Sequence, residues 1–179
     1  PPGRRRERLV HVHEVPARME EGAPWPGWVS PALTSALGAS GISHLWSHQR
    51  QAADLAHGGS HVVISTGTSS GKSLGYLLPV LSDVLDGADA ASGRGATALY
   101  LSPTKALAAD QMAHLTALAI PGLRAAAYDG DTPPDERRWI RAHCQYVLTN
   151  PDLIHHSLPP GHQRWSTFLR SLRYVVIDD

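Results

Sequence analysis

Several things are scarce in this chain of 179 residues. Cys144 is its single cysteine, so no disulfide can close within it and no zinc site built on several of its own cysteines can form. A reducing, cytoplasmic setting is expected, at the nucleoid if the source is bacterial. Long apolar runs are also missing, since nothing approaches the roughly 18 apolar residues a membrane-spanning helix needs. The charged stretch Arg4, Arg5, Arg6 and Arg8 leads into no apolar export signal, so neither anchoring nor export is expected. Net charge is absent too. Lys and Arg total 16 against 16 Asp and Glu, which excludes a global basic field, so any nucleic-acid contact must be local. Lysine itself is rare: Lys72 and Lys105 stand alone among arginines, and both positions invite scrutiny.

What is present suits one domain with a buried core, given this length and 42% hydrophobic residues. Residues 1–42 read as an extension rich in Pro, Arg and Glu, with Leu9–Val15 as an ordered candidate and a short helix opened by Ser30-Pro31. Residues 43–179 read as the domain proper. A helix from Ser47 as N-cap stops at Gly58-Gly59, and His61–Ser65 reads as a β-branched strand. Thereafter strands are expected at 96–101, 124–128, 145–149 and 174–177. Helices are expected at 72–85, 103–119, through Arg141, at 152–157 and at 165–172, with a surface loop at 87–95. Strands apolar on both faces that alternate with helices predict an α/β fold, a mainly parallel sheet covered on both sides.

The densest chemical signal is Thr66-Gly67-Thr68-Ser69-Ser70-Gly71-Lys72-Ser73, between a predicted strand and a predicted helix. Small residues let backbone N–H groups wrap a phosphate, and the following helix N-terminus adds its positive end. Lys72 would reach the β/γ-phosphates and the Ser73 hydroxyl would ligate Mg²⁺. Thr66 stands where the strict P-loop pattern has glycine, so the motif is a variant. Val175-Val176-Ile177-Asp178-Asp179 is an apolar strand ending in acid. A carboxylate at the carboxyl end of a buried strand can hold the Mg²⁺ of a nucleotide bound there, and Asp178 is the candidate.

Six segments occur in a telling order: Trp46-Ser47-His48-Gln49; Thr66 to Ser73; Ser102-Pro103-Thr104-Lys105-Ala106-Leu107; Tyr128-Asp129-Gly130-Asp131-Thr132; Thr149-Asn150-Pro151-Asp152-Leu153; and Val175 to Asp179. Together they resemble the motif series of superfamily 2 DEAD/DEAH-type helicases. The wording is most similar to the YprA/MrfA-like DNA-repair helicases, which are related to RecQ-type enzymes. The resemblance covers residues 43–179 and implies a RecA-like P-loop domain, the first of two in an ATP-dependent DNA helicase.

That resemblance implies further roles. Gln49 would read adenine, making ATP the cofactor alongside Mg²⁺, while Lys72, Asp178 and Asp179 would serve catalysis. Ser102, Pro103, Thr104 and Lys105, with Thr149, Asn150, Pro151 and Asp152, would grip one strand of single-stranded or tailed DNA. Both segments follow predicted strand ends, and Asn150-Pro151 can open a helix whose amides face a phosphate. Where the family has Asp-Glu, this chain has Asp178-Asp179, and the shorter side chain implies weak activation of the attacking water. A second RecA-like domain is implied as a partner beyond these residues. A non-helicase P-loop NTPase, an RNA helicase domain, and a binding module that keeps the fold without nucleotide chemistry stay open as alternatives.

Overall fold

The computed structural model describes residues 22–67, 71–87 and 95–178. Its elements run β1 (Gly22–Ala23), α1 (Pro31–Ala39), β2 (Leu45–Trp46), α2 (Ser47–His57), α3 (Ser73–Asp86), β3 (Thr97–Leu101), α4 (Lys105–Ala117), β4 (Ala125–Ala127), α5 (Pro134–His143), β5 (Tyr146–Thr149), α6 (Pro151–Ser157), α7 (His162–Arg170) and β6 (Leu172–Ile177). β1 and β2 pair antiparallel, Gly22 opposite Trp46. The main sheet has the order β4-β5-β3-β6, with parallel registers that place Tyr100 between Leu148 and Val176.

Strand alternation sorts the side chains between two cores. Ala98 and Tyr100 of β3, with Tyr146 and Leu148 of β5, enter one core together with Leu33, Leu37, Leu77, Leu78 and Leu81. Leu99 and Val147 enter the other, against Ile140, Trp165 and Phe168. Both faces of β3 and β5 are therefore covered, as the expected α/β architecture requires. Helix α1, assigned by sequence to the extension, supplies the fully buried Leu33 and Leu37 to the first of these cores. α3 is apolar around most of its circumference and sits against α2 at close range. A Cβ on Gly75 would lie 2.8 Å from Ile64 Cδ1 and 3.2 Å from Ala52 Cβ of α2, so a larger residue there would push on both neighbours.

Two expectations fail. His61–Ser65 forms no strand: the backbone from 61 to 67 joins no ladder. A β-branched run becomes a strand only beside a partner. Here no described strand flanks it, Val63 is 93% exposed, and β6 ends the sheet with Ile177 77% exposed. The helix expected to reach Leu172 ends at Arg170, and Leu172 opens β6 instead, because pairing with Thr97 competes for it. Leu9–Val15 and most of the 87–95 loop lie outside the described residues.

Candidate functional site

Parallel strands deliver every strand-to-helix loop to one edge of the sheet. β3 leads into Ser102, β4 runs into Tyr128, β5 ends at Thr149 and β6 leads into Asp178. Hydrogen bonds tie these ends together: Tyr128 N donates to Leu148 O at 2.7 Å, Ser102 N to Thr149 O at 3.0 Å, and Asp178 N to Leu101 O at 3.0 Å.

Near one part of this edge stand the described residues at the start of α3. Gly71 adopts φ +68, the left-handed region that favours glycine, and Lys72 follows directly as the N-cap of α3. Ser73 begins the helix, so its backbone and hydroxyl sit where an anion and its cation would be met. Lys72 Nζ reaches back to Thr66 O at 3.4 Å and has no carboxylate partner among the described residues. Gln49 is buried, at 4% exposure, and both ends of its amide are engaged. Its Oε1 accepts from Trp46 N at 2.9 Å, and its Nε2 donates to Gly71 O at 2.8 Å. The residue expected to read adenine thus braces the phosphate loop and the start of α2 here. Thr68, Ser69, Ser70 and Asp179 lie outside the described residues.

Asp178 is oriented by its neighbour on β3: Tyr100 Oη donates to Asp178 Oδ2 at 2.5 Å. Burial pushes the Tyr100 phenol far above its ordinary range, and the bond to Asp178 adds to the shift, so the group remains a donor. Tyr76, one turn after Ser73 on α3, places its ring 6.1 Å from that of Tyr100. Its buried hydroxyl interacts with those of Ser73 and Tyr100. Burial raises its pKa first of all; those two hydroxyls act downward, and the charge of Asp178 acts upward.

The other part of the edge surrounds a cavity of about 190 Å³ lined by Thr104, Lys105, Tyr128, Asp129, Thr149 and Asn150, among others. Four of the predicted strand-gripping residues therefore meet at one place. Thr104 caps α4 by accepting from Leu107 N at 3.2 Å, and Asn150 caps α6 by accepting from Leu153 N at 2.8 Å. Pro151 fills the first helical position of α6, whose first turn also holds the exposed Asp152. Thr149 is 5% exposed and its Oγ1 has no partner among the described residues. Ser102 turns inward and donates to Thr104 O at 3.0 Å, so it shapes the loop that Pro103 continues.

Sequence reasoning missed the partners that control this cavity. Lys105 forms an ion pair with Asp131 and lies 3.8 Å from Asp129. The hydrogen bond between them holds the Asp131 carboxyl below its usual range and lifts Lys105 above its own. Arg137 of α5 clamps the loop that presents these carboxylates. It donates to the carbonyls of Thr132 at 2.7 Å, Gly130 at 2.8 Å and Asp129 at 3.0 Å. In sequence nothing separates it from the exposed Arg138 beside it, because only the return of the loop onto α5 brings carbonyls to one of the two.

Residues 46–179 match the DEAD/DEAH box helicase family. The chain belongs to that family. DEAD/DEAH relatives extend over nearly all of it: the ATP-dependent helicase YprA of Bacillus subtilis is 36% identical across 97% of this chain and 23% of its own length. The ATP-dependent helicase HRQ1 of Saccharomyces cerevisiae is 42% identical across 96% of this chain and 16% of its own. The crystal structure of the DUF1998 helicase MrfA bound to DNA and AMPPNP superposes with a TM-score of 0.82 at 37% identity, covering 93% of this chain and 23% of that one. The chain thus spans less than a quarter of the length of these DEAD/DEAH relatives. The RecA-like fold expected from the motifs is the fold of these neighbours. No described helix is long and apolar enough to cross a membrane.

Proposed function

We propose that residues 43–179 form the first RecA-like motor domain of an ATP-dependent DNA helicase active in DNA repair or processing, with a second such domain outside these residues. What supports this reading is that Asp178 at the carboxyl edge bonds to Tyr100, whose ring lies 6.1 Å from that of Tyr76 near the start of α3. A cavity on the same edge is lined by Thr104, Lys105, Thr149 and Asn150. ATP is the nucleotide and Mg²⁺ its cation. The donors fit that ion, since a serine hydroxyl and a carboxylate are hard oxygen ligands, and Tyr100 occupies only one oxygen of Asp178. Ser73 and Asp178 would hold the ion, which neutralises charge between the β- and γ-phosphates when bound.

The chain's own residues do the rest. Gly71 opens the loop for phosphate, Lys72 gives up the weak Thr66 contact to meet it, and Gln49 links adenine to loop position once its bond to Gly71 is exchanged. Asp179 replaces the glutamate that would orient water, so turnover by this chain alone is slow. Thr104, Lys105, Thr149 and Asn150 take the backbone of a DNA strand, and the MrfA complex with DNA and AMPPNP supports this pairing of ligands. Calorimetry with Mg·ATP, Mg·GTP and single-stranded DNA or RNA tests the reading. Base-selective ATP binding and preference for DNA are expected, whereas no affinity near millimolar ATP would overturn it.

A further inference from the structure

Asp178 is the one candidate cation ligand whose carboxylate is oriented by a buried hydroxyl. Tyr100 is 1% exposed, locked in the β3–β6 ladder beside Val176. Its ring is flanked by Tyr76 at 6.1 Å and Tyr146 at 6.4 Å, so the hydroxyl has little freedom to leave Asp178. The chemistry of this partner matters. A lysine or arginine would orient the carboxylate but also cancel its charge and compete with a cation. A phenol fixes the group while leaving it fully anionic, and it occupies Oδ2 only.

We propose that Tyr100 is a positioning residue for the nucleotide's divalent cation: its hydroxyl holds Oδ2 of Asp178 so that the remaining carboxylate oxygen is presented, still charged, to Mg²⁺. This rests on the Mg·ATP reading above. Partners that orient a metal ligand without touching the metal typically change metal affinity about 10- to 100-fold when removed. The Tyr76 hydroxyl lies beside this pair and interacts with both Tyr100 and Ser73, so the hydroxyl layer under the candidate cation ligands extends from β3 onto the helix that carries Ser73.

The test uses the intact chain and the non-hydrolysable nucleotide AMPPNP. Binding is measured in EDTA and then as Mg²⁺ is titrated in, at a temperature where circular dichroism shows every variant folded. Tyr100→Phe keeps the ring and loses only the hydroxyl. Its affinity for AMPPNP in EDTA is expected to stay within about twofold of the wild type, while the Mg²⁺ midpoint rises about 10-fold or more. Tyr146→Phe removes a neighbouring buried hydroxyl that has no partner, and leaves the midpoint unchanged. In an Asp178→Asn background, Tyr100→Phe adds nothing further, because the two act as one unit. An unshifted midpoint in Tyr100→Phe, or a shift that persists without the Asp178 carboxylate, overturns the role of Tyr100 alone. A wild-type chain whose AMPPNP affinity ignores Mg²⁺ overturns the Mg·ATP reading, and the role of Tyr100 with it.

Discussion

On the nucleotide side of the edge, Gln49 and Asp178 are held by neutral partners, the carbonyl of Gly71 and the hydroxyl of Tyr100. On the strand side, Lys105 is about half exposed and held by two carboxylates. Neutral partners orient a group and leave its charge available; charged partners must be exchanged before a ligand of like sign can enter. On the proposed reading the first region is preorganised, and the second would open by a swap of ions. Its loops also cap helices and anchor the Tyr128–Thr132 turn, so function and local stability share the same residues there.

Four substitutions sharpen or break this contrast. The largest effect belongs to Lys72→Ala, which removes a charge-assisted contact worth roughly 1.5–3 kcal/mol and should weaken Mg·ATP binding about 10- to 100-fold by calorimetry. Its melting temperature should barely move, because among the described residues Lys72 has only the 3.4 Å contact to Thr66 to lose. Arg137→Ala should behave oppositely. Losing three bonds to loop carbonyls costs about 2 kcal/mol in urea unfolding, with weaker DNA binding and unchanged ATP binding. Asn150→Ala deletes the α6 cap and costs about 1 kcal/mol by the same measurement, again on the strand side only.

The smallest expected effect, Asp131→Asn, is the most direct probe of the ion swap. Freed from one competitor, Lys105 should bind a single strand about two- to fivefold more tightly in fluorescence anisotropy, with a steeper salt dependence. The wild-type pair is held at neutral pH, because Lys105 keeps the Asp131 carboxyl below its usual range. It is lost as pH falls through that lowered value, so the difference between the two proteins should narrow in acid. Equal affinities at neutral pH would mean that the two regions do not differ in this way.

Much of this was legible from local pattern. Whereas Thr104, expected inside a helix from 103, caps α4 instead, Asn150 read as a helix opener because a cap needs only its own next turn. Gly71-Lys72-Ser73 read as a phosphate loop for the same reason: the backbone, the charge and the helix end are contiguous. The segment 61–65 misled because strand formation depends on a neighbour that the residues themselves do not name. Tyr100 carried no signal, because nothing within its strand points to a carboxylate 78 positions away.

By itself, then, the order of residues determined the alternating α/β plan, the acid-terminated strand and the family, each of which depends on neighbours close in the chain. Tertiary structure alone decided which groups hold the functional ones: Tyr100 on Asp178, Gly71 on Gln49, Asp131 on Lys105 and Arg137 on the loop between them. The reason is physical. Helix and strand propensities act over a few residues, whereas the orientation and charge of a side chain at the sheet edge depend on whichever strand the ladder places beside it.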